Sequence, residues 1–395
     1  MARQKGGWSS LPADLVNRVA DCFLATSDLD YYTDLRAVCR HWRSSTADPR
    51  SNQHDPRFRP SHWVLLNERE LSSPKSDGAC LFVNAATGRF LRRTLPALLL
   101  RDHLLVTTTA GGLLVLAARG SPHAARVLNP FTGSWTRFAA PLPITEVPSF
   151  TADVVGSSPT LFLASVSTNK VYWADPQSES FSADEEHSHF PASRRLPLIA
   201  AGKCAVVLDG RDREPGAHKI LDQLVSPEEP CCGCYVVVDP AGEGDTLLAV
   251  LMRRHGIDVF KIDSAAGTVI ERVRSIGSRA LFLGIRCLIV DAHSFPAIEA
   301  NCAYFQPIGG QDRAAFDVVE CDIYKFDFQR STEVEDETKR ISAAVVNDTV
   351  SRMWPFYPRP FTVIQLLCNY TLPVPCSVVL CRRIAALYYQ RIDVN

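Results

Sequence analysis

Asn84-Ala-Ala-Thr-Gly-Arg-Phe90 and Asn129-Pro-Phe-Thr-Gly-Ser-Trp135 are two copies of a degenerate repeat that decides the fold class. Three further stretches follow the same plan, at residues 175–181, 263–269 and 327–333. In this plan an Asn or Asp opens a short turn, small residues or glycine close it, and an aromatic or β-branched residue begins the next strand. An Asx side chain accepts hydrogen bonds from backbone just ahead of it, and glycine adopts the positive φ of such turns. The repeat therefore predicts a series of β-hairpins.

The spacing of the repeat predicts how these hairpins are assembled. The first three copies begin about 45 residues apart, which is the length of one four-stranded propeller blade. Short apolar runs bounded by turn residues lie between the copies, for example at 111–117, 161–166 and 280–285. We therefore predict a mainly-β, β-propeller-like domain. Unrelated hairpins in a β-sandwich are the alternative.

Residues 9–47 have a different, helical texture. Apolar residues recur at helical spacing between Leu11 and Leu24, and Pro12 suits the first turn of a helix. A second apolar stripe runs from Leu35 to Trp42. A unit of about 40 residues is too small to bury a sufficient core by itself. We expect it to pack on the rest of the chain or on a partner.

These sequence patterns divide the chain into four predicted segments. The helical module and the β domain together predict an α+β multidomain fold class. The segments are a helical module at 8–48, a Pro-rich linker at 49–62, a β-rich domain at 63–345 and a C-terminal extension at 346–395. We expect the β domain to have its own core. We also expect Trp135, Phe181, Phe260 and Phe282 to lie in it, because aromatic residues in strands usually pack between sheets.

Composition indicates which partners and compartments to expect. The 395 residues include 42 Lys and Arg against 43 Asp and Glu, so the net charge of −1 gives no bulk attraction to nucleic acid or anionic membranes. The N-terminus has no apolar core of a secretory signal, and no apolar run approaches the length of a membrane span. Thirteen irregularly spaced cysteines are typical of reduced thiols. The expected location is cytoplasmic or nuclear.

Signatures of catalysis are missing from the sequence. It contains no Gly-x-Ser-x-Gly, no His-Glu-x-x-His and no phosphate-binding loop. Cys231-Cys-Gly-Cys234 and His187-Ser-His189 are metal-ligand types, but no second ligand pair at a usual spacing accompanies the cysteines. A thiol cluster and a solvated loop are the favoured interpretations, as is an exposed acidic turn for 333–337. We therefore predict a non-enzyme without cofactor or metal.

The helical module resembles the F-box. The resemblance rests on Trp8-Ser-Ser-Leu-Pro-Ala-Asp-Leu15, followed by Val19, Leu35 and the closing Val38-Cys-Arg-His-Trp-Arg43. It implies docking on a Skp-family adaptor and, through that adaptor, on a cullin–RING ubiquitin ligase. The predicted adaptor-binding residues are Leu11, Pro12, Leu15, Val19, Leu35, Val38, Cys39 and Trp42.

The following region resembles the plant domain of unknown function 295, which often follows an F-box. The resemblance covers about residues 60–335 and rests on the stretches 257–263, 276–284 and 295–305. It implies a kelch-like fold, in agreement with the repeat. We therefore predict a substrate receptor that binds an unknown target protein. A stand-alone propeller that binds a ligand or acts as an enzyme, and an F-box protein acting outside a ligase, are the alternatives.

Overall fold

The structure of the chain is a computed structural model. It describes residues 7–52, 55–71, 78–109, 111–143, 150–156, 158–165, 171–184, 231–238, 246–253, 256–263, 268–284, 286–305, 323–331 and 362–371. Within these ranges the chain begins with short helices and continues as five β-sheets that follow one another along the sequence. The prediction of a mainly-β region behind a helical module is confirmed.

The five sheets are the blades of a β-propeller. The strands of blade 1 are β1 (Trp63–Leu65), β2 (Ala79–Asn84) and β3 (Phe90–Thr94). Those of blade 2 are β4 (His103–Thr108), β5 (Leu114–Ala118), β6 (Ala124–Leu128) and β7 (Trp135–Pro141). Those of blade 3 are β8 (Phe150–Val155), β9 (Thr160–Ser165), β10 (Val171–Ala174) and β11 (Ser182–Asp184). All three blades are antiparallel meanders.

Blades 4 and 5 differ from each other in strand order. Blade 4 is a meander of β12 (Cys231–Val238), β13 (Thr246–Arg253), β14 (Gly256–Asp263) and β15 (Thr268–Val273). Blade 5 consists of β16 (Arg279–Leu283), β17 (Leu288–Asp291), β18 (Cys302–Phe305) and β19 (Tyr324–Asp327). Its spatial order is β17–β16–β18–β19, and β16 and β18 run parallel.

The Asx repeat lies at the turn before the last strand in four of the blades. Asn84 accepts hydrogen bonds from the backbone N–H groups of Ala86 and Thr87 at 3.0 and 3.2 Å, and Asn129 forms the same pair of bonds in blade 2. The copies at Asp175 and Asp263 precede β11 and β15. We call this end of the blades the Asx-turn end. The fifth copy differs, because Asp327 is followed by helix α6 (Phe328–Ser331) and the predicted hairpin there is wrong.

Apolar clusters join neighbouring blades. One cluster fills the junction of blades 2 and 3, a second joins blades 4 and 5, and a third joins blade 5 to blade 1. In the third, Phe282 of β16 is fully buried and stacks on Tyr304 with ring centroids 5.0 Å apart. The prediction that Phe282 is a core residue is confirmed. Phe181 and Phe260 are half-buried. Trp135, the first residue of β7, is 37% exposed, so its prediction as a core residue is wrong.

Helices lie at both ends of the described chain. The N-terminal module consists of α1 (Ala13–Ala25), α2 (Leu29–Ala37) and α3 (Arg40–Ser45), preceded by a 3-10 turn at Trp8–Ser10. Two short helices, α4 (Glu68–Leu71) and α5 (Ala97–Asp102), connect strands, and 3-10 turns lie at Pro56–Phe58 and Ala292–Ser294. Helix α7 (Val363–Thr371) lies within the predicted C-terminal extension. Its Leu367, Cys368 and Tyr370 pack into the junction of blades 5 and 1, so this part of the extension belongs to the propeller core.

The predicted linker 49–62 is packed against the propeller over its described part. Phe58 is 1% exposed, and its carbonyl accepts a hydrogen bond from Asn129 Nδ2 at 2.8 Å. Arg59 Nη1 donates to the carbonyl of Val154 in blade 3 at 3.0 Å. The carbonyl of Pro60 lies so close to Gly112 that a Cβ atom there would come within 2.3 Å of it. This segment therefore crosses turns at the Asx-turn end of blades 2 and 3 and does not act as a free tether.

Asp153 of β8 is a buried carboxyl group whose titration is coupled to folding. Burial raises the pKa of Asp153 to about 7, although the Val154 N–H group and the charge of Arg59 oppose the shift. Because the folded-state pKa lies above the unfolded one, the protonated form favours folding. Stability is then lost as the pH rises from about 4 through 7.

We expect Asp153→Asn to remove this pH dependence, since the amide carries no charge. Relative to the unaltered protein, the variant should gain up to about 4 kcal/mol of unfolding free energy between pH 4 and pH 8. Urea unfolding of both proteins at several pH values measures this difference in unfolding free energy. Subtracting one protein from the other removes the contribution of the other titrating groups. Parallel stability profiles for the two proteins would contradict the prediction.

Candidate protein-binding face of the N-terminal helices

Helix α1 has two apolar stripes on different faces. Val16 and Ala20 are buried, and Phe23 and Leu24 pack beside them against the interior. Leu15 and Val19, spaced i and i+4, are 39% and 41% exposed. An amphipathic surface helix needs only one apolar face to pack on its own protein. The second stripe is therefore free to contact another molecule.

Further apolar residues of the helical module are exposed. Trp8, before α1, is 78% exposed, and Val38, at the end of α2, is 57% exposed. Pro12 is also exposed, directly before the first residue of α1. We refer to Trp8, Pro12, Leu15, Val19 and Val38 as the exposed apolar set. Isolated surface apolar residues are common, and the number of them in so small a module makes this set the candidate protein-binding surface.

Side-chain hydrogen bonds fix α3 against the start of the chain. Cys39 caps α3 because its Sγ accepts the backbone N–H of Trp42 at 3.4 Å. The Trp42 indole N–H donates to the carbonyl of Trp8 at 3.2 Å, and His41 Nε2 lies 2.8 Å from the carbonyl of Leu11. These bonds hold the segment of Trp8 and Leu11 in a defined position beside α3.

The structure separates the predicted adaptor-binding residues into three groups by their exposure. Those that are exposed are Pro12, Leu15, Val19 and Val38. Leu11, Cys39 and Trp42 are half-buried, and the first and last of these pack on the interior of the module. Leu35 is 5% exposed and packs in the core of the module, so it lies between the helices and not on their exposed surface.

Two exposed aromatic residues of the module were not predicted as site residues. They are Trp8 and Tyr31, the second being 44% exposed. Trp8 could have been found because it is a large apolar residue in a polar stretch before α1. Tyr31 had no such signal, since its neighbour Tyr32 in the same helix is buried and donates to the carbonyl of Ala47.

Ion pairs of Arg89, which we call the Arg89 clamp, attach the helical module to blade 1. Arg89, from the first Asx turn, forms ion pairs with Asp28 and Asp30 at 2.7 and 2.6 Å. Its guanidinium also lies 4.1 Å from the ring centroid of Tyr31 and 4.8 Å from that of Trp63. Burial alone would raise the pKa of Asp30, but the hydrogen bonds and charge of Arg89 outweigh it and lower that pKa. The clamp therefore favours the charged carboxylate.

Backbone groups of the loop between α1 and α2 are bonded to blade 1 as well. The Trp63 indole N–H donates to the carbonyl of Ser27 at 2.7 Å, and Asn84 Nδ2 donates to the carbonyl of Thr26 at 2.8 Å. Asn84 thus organises its own turn and holds the helical module with the same amide. The module is fixed on the Asx-turn end of blade 1.

The helical module and the first two blades also share one apolar core. A single cluster contains Val16 and Tyr32 of the helices, Trp63 and Phe82 of blade 1, and Leu116 of blade 2. Three other clusters contain no residue of the helical module, so the described β domain has a core of its own, but part of the core of blades 1 and 2 is shared with the helices. The expectation that a small helical unit packs on the rest of the chain is confirmed.

Comparison with known proteins agrees with this architecture. A family model described as KIB1-4 beta-propeller matches residues 82–328, more than half of the chain. The chain belongs to the KIB1-4 β-propeller family. The matched region of this KIB1-4 propeller begins in β2 and ends at the start of α6. The domain of unknown function 295 and the kelch-like fold stay predictions.

A second similarity concerns a protein with an F-box name. The F-box protein At2g26160 of Arabidopsis thaliana is 42% identical to this KIB1-4 propeller protein over 50 residues. The match covers 13% of this chain and 14% of the relative's own length.

Metal ligands and apolar helices are the other features of this KIB1-4 propeller protein that could define a site. Among the described residues no group of three or more His, Cys, Asp or Glu side chains could hold a metal ion. Cys231 to Cys234 lie in strand β12, and His187, His189 and the acidic stretch 333–337 lie outside the described residues. In the same part of the chain no helix is long and apolar enough to cross a membrane. The exposed apolar set is thus the best-defined candidate site.

Proposed function

We propose that this KIB1-4 propeller protein is the substrate-receptor subunit of a Skp–cullin–F-box ubiquitin ligase. In this proposal the helical module is the F-box that docks on a Skp-family adaptor, and the propeller binds the target protein. The observation that carries the proposal is the exposed apolar set. The inner faces of the same helices are already packed on the propeller, whereas the residues of this set stay exposed.

The shape and spacing of these residues suit a partner's groove. An amphipathic helix commonly binds by laying residues at i and i+4 into an apolar groove, and Leu15 and Val19 have this spacing. Trp8 adds a large apolar anchor, a residue type that often dominates interface energetics. The F-box name of the Arabidopsis relative supports a partner of the Skp type in general.

The receptor acts in this proposal by positioning and carries out no chemistry. The sequence offers no nucleophile–base pair or phosphate loop, so we propose that it has no hydrolase or transferase activity of its own. Ubiquitin transfer belongs to the charging enzyme and the RING subunit. The receptor raises the effective concentration of the target near the ubiquitin donor and makes their encounter intramolecular.

The clamp at Arg89 gives this positioning a structural basis. Because the helical module and blades 1 and 2 share a core, the adaptor and the propeller would be held at a fixed distance and orientation. The module and segment 55–63 cover parts of the Asx-turn end. We therefore propose that the target binds at the outer edges of the blades or at their opposite end.

Replacing Leu15 and Val19 together by Asp is expected to abolish adaptor binding. Charged side chains would then enter the apolar interface, where truncating even one central anchor commonly costs about 2 kcal/mol or more. Recovery of a Skp-family adaptor and a cullin with the tagged full-length protein measures the effect. The double variant Ala13→Asp/Asn17→Asp, at two exposed positions on another side of α1, is the matched control and should recover both partners.

Two results would count against the proposal. Recovery of adaptor by the Leu15→Asp/Val19→Asp variant at the unaltered level would show that these residues are not the docking surface. Failure of the unaltered protein to recover adaptor or cullin would remove the ligase assignment itself. Thermal melting of both variants verifies that they are folded.

A further inference from the structure

Charge is distributed very unevenly along this chain. Residues 78–142 contain seven arginines, one aspartate, and neither lysine nor glutamate, although the whole chain has a net charge of −1. The arginines are Arg89, Arg92, Arg93, Arg101, Arg119, Arg126 and Arg137. Arg89 is neutralised by the helical module, and Arg101 pairs with the single aspartate, Asp102. Blades 1 and 2 therefore have an excess of positive charge, which acidic residues in other parts of the chain balance.

Two of these arginines form a like-charge pair on one face of blade 2. Arg126 of β6 and Arg137 of β7 are direct cross-strand partners in an antiparallel pair. Such partners project from the same face with Cβ atoms about 5 Å apart, and like charges in this position destabilise a sheet. Among the described residues neither arginine has an acidic partner. The pair is a local cost to stability that an anion would relieve.

An exposed indole completes the surface beside the arginine pair. The Arg126 guanidinium lies 5.7 Å from the ring centroid of Trp135, which is the aromatic residue wrongly predicted as core. Arg126 lies two residues from Leu128 of the core shared by blades 1 and 2, so it faces that junction. Trp135 is the cross-strand partner of Leu128 and lies on the same face.

A third arginine reaches this junction from blade 1. Arg93 of β3 lies two residues from Leu91, which packs on the shared core, and it therefore faces blade 2. Its Nη1 donates to the carbonyl of Phe131 at 3.3 Å, and its guanidinium lies 5.3 Å from the Phe131 ring. We refer to Arg93, Arg126, Trp135 and Arg137 as the basic surface.

We propose that the basic surface binds an acidic peptide segment of the target protein. Guanidinium groups bind carboxylates with paired, charge-assisted hydrogen bonds, and an adjacent indole offers an apolar platform for a peptide. A peptide fits better than a nucleic acid, because two arginines beside one indole and a third at the same blade junction are a local cluster and not a long basic track. The inference rests on the proposed function in one respect only, which is that the protein carrying the acidic segment is a target of the ligase.

Binding of labelled peptides to the purified full-length protein tests the proposal without any ligase component. The probe is a short fluorescein-labelled Glu/Ser peptide, with a Gln/Ser peptide and a thymidine oligonucleotide as comparisons, and fluorescence anisotropy is the measurement. We expect the Glu/Ser peptide to bind and the Gln/Ser peptide and the oligonucleotide not to bind. Added salt should weaken the binding of the Glu/Ser peptide. Arg137→Glu should weaken it about ten- to hundredfold. The matched control Arg274→Glu, an exposed arginine after β15, has the same charge change and should leave it unaltered.

The melting temperature supplies a second readout. Arg137→Glu converts the like-charge pair into an attractive one, so the variant should melt at or above the temperature of the unaltered protein. Retained peptide affinity in Arg137→Glu would overturn the proposal, and so would an equal loss in Arg274→Glu. Tighter binding of the oligonucleotide than of the acidic peptide would assign the surface to nucleic acid instead. Failure of adaptor binding would leave all these results unaffected and would count only against the proposed function.

Discussion

Deleting residues 8–48 is expected to unfold blades 1 and 2, or to lower the melting temperature of the protein drastically. The deletion would remove the helical partners of two residues that are at most 2% exposed: the Trp63 indole donates to Ser27, and the Phe58 ring lies 5.5 Å from that of Tyr32. Leaving a large apolar side chain exposed costs about 1.5–3 kcal/mol, and several such losses approach the total stability of about 5–15 kcal/mol of an ordinary domain. Arg89 and Asn84 would also lose the partners that the helical module provides.

Circular dichroism melting of the truncated chain measures this effect. The full-length Leu15→Asp/Val19→Asp variant is the control, because it alters only the exposed stripe of α1 and should melt close to the unaltered protein. A truncated chain that melts at the temperature of the full-length protein would show that the propeller has an independent core. Loss of target binding after this deletion would therefore reflect unfolding, and point variants are required to test adaptor docking.

Arg286→Met is expected to cost about 3–5 kcal/mol of unfolding free energy, because it leaves a buried carboxylate without its cation. Arg286 Nη1 lies 2.6 Å from Glu68 Oε1, and the two side chains are 9% and 3% exposed. The same nitrogen donates to Thr108 Oγ1 at 2.9 Å, and the guanidinium lies 4.4 Å from the ring centroid of Tyr370. Burial alone would lower the pKa of Arg286, but the charge of Glu68 outweighs it and raises that pKa, so the guanidinium stays charged.

This cluster has a large expected effect because of the parts of the chain that it joins. Glu68 begins the helix after blade 1's first strand, Thr108 ends the first strand of blade 2, and Arg286 lies in the hairpin of blade 5. The Arg286 backbone N–H also donates to the carbonyl of Thr371 in α7 at 3.2 Å. Blades 1, 2 and 5 are thus connected to the C-terminal helix where the ring closes.

Urea unfolding of a double-mutant cycle measures the coupling between Arg286 and Glu68. The double variant Glu68→Leu/Arg286→Met removes both charges, so it should be more stable than Arg286→Met alone. Losses that simply add between the two single variants would contradict the account of a coupled buried pair.

The blades could be predicted from the sequence because their signal is local. The Asn84 and Asn129 side chains bond backbone groups within three residues, so the pattern of the turn is readable without knowledge of any distant contact. The copy at Asp327 shows the limit of this signal. An Asp side chain that bonds an N–H two residues ahead begins a helix as readily as a hairpin, and α6 follows there.

Burial against distant parts of the chain could not be predicted in the same way. The helical pattern placed Leu15 and Val16 together in one apolar stretch, but only the position of blades 1 and 2 determines that Val16 is buried and Leu15 exposed. Trp135 was assigned to the core because strand aromatics usually pack between sheets. It lies instead on the last strand of its blade beside two arginines, one of them nine residues earlier in the sequence. Phe58 was hidden in a polar, proline-rich stretch that resembles a linker.

Hydrogen–deuterium exchange of the full-length protein with and without a purified Skp-family adaptor tests the central claim most directly. We predict that the adaptor slows exchange in peptides covering residues 8–25 and 38–42, which contain the exposed apolar set, and leaves the outer strands β3 and β7 unchanged. The Leu15→Asp/Val19→Asp variant should show no such protection. Protection confined to the propeller strands, or no protection anywhere at adaptor concentrations that saturate a known F-box protein, would contradict the claim that the N-terminal helices dock the adaptor.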